Sequence, residues 1–410
     1  MPTCSVSVKI LVITPFPPLK APEADHAIHL CTRLADRGLD VHVATMMGSI
    51  APNYPRLTVH PIARDWSWWD LPRLAMYMRR CAPDVILLMY LDWVYNYHPM
   101  ITFAPTISRA LLPGVRFVTL FEDGNGARPG ETSLLARALR KGLARWAGPE
   151  DVDYGFGTLL RDSDRIIVVS DRTRATLAER STAVNGNSVL IPPPPIICMR
   201  PQGHDTDRRH RREILGVKTD DFLMVYFGYV YPAKGLDTLL KAFTLVRNKR
   251  SNVRLIIVGG TIVFPQRPFY MEEMRDLTKE LGIEGSVTYT GGYAWDSDEA
   301  SGYLHASDLC VLPFDRGVSV HNSSFSCACA HGLPIITTRG EMLELQFVHQ
   351  ENVFLCPPKN PGAMAAAIEA VMDSPALQRR LRAGALELAR EWFSWDRAID
   401  QTIGALVGLV

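Results

Sequence analysis

Short runs of β-branched and aliphatic residues recur along this chain, each followed by a longer amphipathic stretch, and the rhythm plays twice. In the first half the runs fall at 8–13, 41–45, 85–89, 115–120, 165–169 and 189–191, with helical patterns such as 24–37 and 99–112 between them. Runs this apolar belong to strands buried on both faces, and parallel strands need a crossover helix between successive members. The pattern therefore predicts an α/β chain with doubly wound parallel sheets. Four consecutive prolines, Pro192 to Pro195, interrupt it, since proline continues neither a helix nor a central strand. A polar stretch with the basic cluster Arg208 to Arg212 follows, open to two readings: an anion site or a solvated helix start. The rhythm then restarts at 222–227, 253–258, 286–290, 309–312, 334–337 and 352–355.

Two Rossmann-like domains are expected, 1–195 and 213–390, joined by a linker at 196–212 and facing each other across a cleft. Helix 391–410 exceeds what the second sheet needs and is expected to cross back to the first domain. Ligands of such sheets sit beyond the carboxyl ends of the strands. Lys and Arg number 44 against 43 Asp and Glu, a net charge of +1, so no general field for nucleic acid exists. Eight cysteines without a Cys-x-x-Cys pair give neither a disulfide scaffold nor a zinc site. With no apolar stretch long enough to span a bilayer and no secretory leader pattern, a cytoplasmic protein is expected.

The segment 226–240 runs strand, Gly228, loop, Lys234-Gly235, helix. With the islands at 254–259, 282–291, 307–313 and 330–338, and with 14–18, 35–41 and 163–170 in the first half, it resembles retaining GT-B glycosyltransferases, specifically glycosyltransferase family 4. The resemblance implies a nucleotide-sugar donor on the second domain, an acceptor on the first, and no cofactor. A diphosphate leaving group gathers charge as the glycosidic bond breaks, and a cation beside backbone N–H groups at a helix start stabilises it. Lys234 is the natural cation, because at a helix N-terminus it has no structural benefit from the dipole. No Asp-x-Asp sequence lies near this segment, so the expected chemistry uses no metal. Gly228 and Tyr229 border the ligand, Tyr293 is placed beside the base, and Gly317, Val318, Ser319, Ser323 and Ser324 form the second phosphate loop, with Asn322, Ser323 and Ser324 as helix caps.

The chain also departs from the family pattern. Ser319 and Cys327 stand where two glutamates are usual, Tyr229 where an arginine is, Leu19 to Glu23 where a glycine pair is, and Leu120 to Asp123 where a histidine is. Glu122, His26 and Asp25 are the candidate catalytic groups, placed by the ends of two strands. Trp68, Asp92 and Tyr95, from two aromatic segments, are candidates for acceptor binding or for a satellite core. Helix 133–146 carries an apolar stripe of Leu135, Leu139, Leu143 and Trp146 beside Arg137, Arg140, Lys141 and Arg145, which suits either core packing or contact with an anionic membrane. The expected activity is transfer of a hexose from a UDP-sugar, or from GDP-mannose, to a sugar, small-molecule or lipid-linked acceptor. Alternatives are an epimerase or phosphorylase of the same fold, or a non-catalytic sugar-binding scaffold.

Overall fold

The computed structural model describes residues 8–127, 134–148, 152–153, 155–200, 205–262 and 267–408. It forms two compact units, Met1–Pro192 with Asp396–Val410, and Pro193–Trp395.

The first unit is built on seven parallel strands: β1 (Lys9–Ile13), β2 (Asp40–Met46), β3 (Leu57–Ala63), β4 (Val85–Tyr90), β5 (Arg116–Phe121), β6 (Arg165–Val168) and β7 (Ser188–Leu190). Their order is β3-β2-β1-β4-β5-β6-β7, so the winding reverses between β1 and β4. Every residue of β4 is buried, as the apolar run demands. β3 is absent from the pattern of apolar runs because it alternates polar residues and contains Pro61. As the edge strand it tolerates both, the proline lacking an N–H that no neighbour needs. From Asp396 onward the final helix, Trp395–Val407, belongs to this unit, where Arg37 pairs with Asp396 at 2.9 Å and with Asp400.

The second unit holds six parallel strands: β8 (Phe222–Phe227), β9 (Val253–Val258), β10 (Val287–Gly291), β11 (Leu309–Leu312), β12 (Ile335–Thr338) and β13 (Phe354–Cys356). The order β10-β9-β8-β11-β12-β13 puts the reversal between β8 and β11. In folds of this kind the crossover connections leave opposite faces at such a reversal and a crevice forms at the carboxyl ends, the place held here by Gly228 and Pro313. Among the described residues no helix is long and apolar enough to cross a membrane.

The segment expected as a linker instead carries the helix Asp205–Ile214, which packs into the second unit. Neither reading of its basic cluster holds for Arg208 and Arg212. Arg208 donates to the carbonyls of His305 and Ser307 and to Asp308, and Arg212 donates to Ala306 O and to Asp308 Oδ2 at 3.1 Å. These guanidinium groups satisfy orphan carbonyls at the end of helix Glu299–Ala306. Asp308 Oδ2 also accepts the N–H of Leu223 at 2.8 Å, joining this helix pair to β8.

Behind the crevice, His331 lies buried where helix Ser323–Ala330 ends. Its Nδ1 lies 2.7 Å from Cys327 O and its Nε2 2.7 Å from Ser301 Oγ, so Nδ1 donates and the serine hydroxyl donates to Nε2. Burial lowers its pKa from 6.5 to about 4. The unfolded chain therefore takes up a proton between these values before the native unit does, and stability falls as pH drops. The contribution of His331 is complete above pH 6.5, and its loss should lower stability by roughly 2–3 kcal/mol between pH 7 and 4.5. Urea unfolding at the two pH values measures this, and His331→Gln should remove most of the difference.

Candidate functional site

The site in the second unit begins with a backbone constraint at the end of β8. Gly228 has φ 125°, and a Cβ added there would lie 3.2 Å from Ser324 Cβ, so the end of β8 and the start of helix Ser323–Ala330 touch. Gly235, with φ 72°, opens the next helix, Leu236–Arg247, and a Cβ there would collide with Pro313 O. The loops after β8 and β11 are thereby locked together. Asp315 N–H donates to Ala233 O at 3.1 Å across the same junction. Ala233 itself holds φ 75°, a conformation that costs a non-glycine residue about 1 kcal/mol or more.

Lys234 rises from this strained turn between two aromatic faces, its Nζ 4.8 Å from the Phe314 ring centre and 5.2 Å from that of Tyr231. Among the described residues no carboxylate lies within ion-pair distance of it. The rings hold the ammonium without neutralising it.

Asn322, expected as a cap, does not act as one. Its Oδ1 turns back to accept Ser319 N–H at 2.8 Å, and no side chain caps the helix. The N–H groups of Ser323 and Ser324 accordingly find no acceptor among the described residues. Two such donors at a helix start, beside a glycine, form a seat for an anion. Tyr293 stacks on Phe227 with ring centres 6.0 Å apart, which keeps it half-buried next to Gly228. Tyr229, also half-buried, accepts Tyr226 O–H on its carbonyl.

Two of the expected loop contacts turn inward. Val318 is buried in the core and its N–H goes to Thr338 O, so neither its side chain nor its amide serves a ligand. Ser319 is buried too, its hydroxyl bonded to Glu344. Gly317, with φ 84°, packs directly on Gly340, and a Cβ at either would strike the other loop. Glu344 escaped the sequence analysis because it lies 25 positions from Ser319, in a segment with no pattern of its own.

In the first unit, His26 Nδ1 meets Glu122 Oε1 at 2.6 Å, with side-chain exposures of 8% and 12%. Glu122 follows β5 and is fixed by donating its N–H to Tyr90 O, while His26 sits in the first helix, Pro22–Asp36. The carboxylate accepts the Nδ1 proton, which makes Nε2 the basic nitrogen. Asp25 is half-buried on the same helical turn.

Of the two readings of Trp68, Asp92 and Tyr95, the packing follows the satellite core. Tyr95 is fully buried and donates its hydroxyl to Met89 O at 2.8 Å and Ile13 O at 3.2 Å, tying the ends of β4 and β1. Asp92 is buried and accepts Trp93 N–H, and Trp68 packs edge-on against His98. The tryptophan loop is organised by Asp70, 1% exposed, whose Oδ2 accepts the N–H groups of Arg64, Asp65 and Trp66. Only Trp69, 77% exposed, leaves this cluster. The helix, Leu134–Ala147, divides between the two readings: Leu143, with Ala136 and Ala144, packs partly buried against the core. Arg140 is its buried residue, while Leu135, Leu139 and Trp146 are exposed.

Gly235→Ala should destabilise the second unit by about 2 kcal/mol or more, since it adds a left-handed backbone cost to the clash with Pro313 O. Urea unfolding checks it. A shift below about 0.5 kcal/mol would show that the two loops are not locked at this point.

Two family models match the chain: "Glycosyltransferase Family 4" over residues 24–194 and "Glycosyl transferases group 1" over residues 207–387. The chain is similar to a D-inositol 3-phosphate glycosyltransferase of Thermomonospora curvata, 28% identical over 67% of this chain and 64% of that protein. It is also similar to the lipopolysaccharide core biosynthesis glycosyltransferase LpsD of Rhizobium meliloti, 31% identical over 46% of this chain and 50% of that protein. It thus spans about half to just under two thirds of the length of the curated relatives it matches. Among solved structures, Anabaena Alr3699/HepE in complex with UDP and glucose superposes with a TM-score of 0.71 at 16% identity, covering 98% of this chain and all of that one. WaaG, a glycosyltransferase involved in lipopolysaccharide biosynthesis, gives 0.64 at 14% identity, covering 98% of this chain and 100% of that one. These likenesses give the GT-B fold.

Proposed function

Because the chain belongs to glycosyltransferase family 4, we propose that it transfers a hexose, with retention, from a nucleotide diphosphate sugar to a sugar or lipid-linked acceptor. The observation that carries this reading is the pair of uncapped N–H groups of Ser323 and Ser324 beside Gly228. A diphosphate oxygen fits such donors, and the charge that grows on it during bond cleavage strengthens the interaction most in the transition state. Lys234 supplies the cation, so the step runs without a metal and is unaffected by chelators. UDP is favoured as the nucleotide because the structural neighbour HepE was solved with UDP and glucose. Retention follows the family's same-face course, in which the departing phosphate takes the acceptor's proton. In the first unit, the His26–Glu122 pair is the candidate for binding an acceptor hydroxyl.

A thermal-shift series with UDP, UDP-glucose, GDP and GDP-mannose tests the donor site. One nucleotide series at 100 times its dissociation constant should stabilise by about 2.7 kcal/mol. No shift with any of them would leave a fold without a working donor site. In the active enzyme Lys234→Ala should lower kcat by about 10²–10³, roughly 2.7–4 kcal/mol of barrier. Unchanged turnover would remove the lysine from the mechanism.

The open face of helix Leu134–Ala147 supports a lipid-linked acceptor at an anionic bilayer. Leu135, Leu139, Leu143 and Trp146 line a shallow apolar hollow of about 390 Å³, and Arg137, Lys141 and Arg145 stand exposed beside it. Apolar insertion flanked by cations is the combination that holds a helix in a charged interface. The protein should sediment with vesicles containing phosphatidylglycerol, less at high salt, and Leu139→Glu with Trp146→Glu should abolish it. Equal sedimentation of the double variant would exclude this helix as the contact.

A further inference from the structure

Neither position at which the family pattern places a glutamate holds an acid here. Cys327 is sealed in the core, and burial pushes its thiol up to about 12, so it stays neutral. Ser319 is different, because its hydroxyl reaches a carboxylate. Its Oγ donates to Glu344 Oε1 at 2.9 Å, and Glu344 Oε2 accepts Val320 N–H at 2.9 Å. The whole carboxylate is buried.

The direction of these bonds fixes a tautomer. His321 Nδ1 lies 2.9 Å from the same Ser319 Oγ. A hydroxyl has one proton, and with that proton given to Glu344 the oxygen can only accept from His321. Nδ1 therefore carries the imidazole proton and Nε2 keeps its lone pair. Asn322 agrees independently. Its Oδ1 is committed to Ser319 N–H, so the group it turns to Nε2, at 3.2 Å, is the donating Nδ2. His321 is half-buried and precedes by two residues the uncapped N–H groups of the donor loop.

We infer that Glu344, acting through Ser319, is a positioning residue that holds His321 with Nε2 as an acceptor for a hydroxyl of the donor's hexose. This deepens the donor-site reading given above and rests on it. A diphosphate has no hydrogen to give to a lone pair, whereas a sugar hydroxyl has one. The hydroxyl takes the place on Nε2 now held by the Asn322 amide. The network thus does through a neutral ring what an acid at position 319 would do directly.

Glu344→Gln tests it with little change of shape. Val320 N–H still needs an acceptor, so the new amide oxygen stays there and its NH2 faces Ser319. The serine then gives its proton to His321 Nδ1, and the ring proton moves to Nε2. Calorimetry with a nucleoside diphosphate and its sugar (UDP and UDP-glucose, or GDP and GDP-mannose) is combined with ¹⁵N spectra of the His321 ring. In the wild type Nδ1 should be protonated. In Glu344→Gln the proton should move to Nε2, the nucleotide-sugar should bind at least tenfold more weakly, and the diphosphate should bind within twofold of the wild type. Glu344→Asp should recover part of the loss. Ser319→Ala, which leaves Val320 capped, should repeat the selective loss if Glu344→Gln does not fold. Equal losses for both ligands, no loss, or an unmoved tautomer would overturn the inference and leave the donor site standing. A wild type that binds neither member of either pair overturns the donor-site reading and this inference together.

Discussion

One amide side chain decides which backbone donors the second unit leaves bare. Asn322 has the residue type and position of a helix cap, yet it folds back onto Ser319 N–H and leaves Ser323 and Ser324 with bare N–H groups. Left bare, a helix start loses about 1 kcal/mol that a cap would supply. It also keeps its partial positive charge for a ligand. The surroundings make this exposure permanent. Gly228 lets the end of β8 touch Ser324, Gly235 lets the neighbouring loop close on Pro313, and Glu344 pins the chain just before the helix. All three are short-range steric or hydrogen-bond constraints, and each acts on backbone placement.

The first unit follows the same rule with different means. Tyr95, from its place after β4, ties the carboxyl ends of β4 and β1 by its hydroxyl, and Asp70 gathers three N–H groups of the tryptophan loop onto one carboxylate oxygen. A buried carboxylate with that many donors is a structural ligand, since its charge is already spent on the backbone. The His26–Glu122 pair is the contrast. Glu122 is held by its own N–H while its side chain remains to set the histidine, so the pair keeps a basic nitrogen.

The sheets were legible in the sequence because parallel strands buried on both faces cannot avoid being apolar. The exception, β3, lies at an edge, where Pro61 and alternating polar residues are tolerated. That Gly228 follows a strand and that Lys234 stands just before a helix were legible because each depends on local chain geometry. The aromatic segments stayed open between two readings, since tryptophan beside aspartate looks the same in a sugar site as in a loop closed by Asp70. Arg208 and Arg212 misled for a related reason. A run of arginines carries no sign in the sequence that Asp308 and the helix Glu299–Ala306 wait nearly a hundred residues away. Long-range polar partners have no period, and Glu344 belongs to the same class.

The absence of acids at 319 and 327 leaves untouched the bare N–H groups on which the proposed donor site rests. N–H donors at a helix start are fixed by glycines and by sheet topology, and no side chain at those two positions alters them. A cation between two aromatic rings likewise keeps its charge whatever stands at 319. What an acid there could contribute is acceptance of a hydroxyl, a weaker and more local duty. The chain Glu344–Ser319–His321 can carry that duty while keeping the anion buried and hydrogen-bonded on both oxygens. A carboxylate placed at the loop itself would stand nearer the phosphate charge, and repulsion between like charges grows steeply in a site from which water is excluded. In the proposed donor site, moving the acid back by one serine would exchange direct contact with the sugar for a lower electrostatic cost on the leaving group.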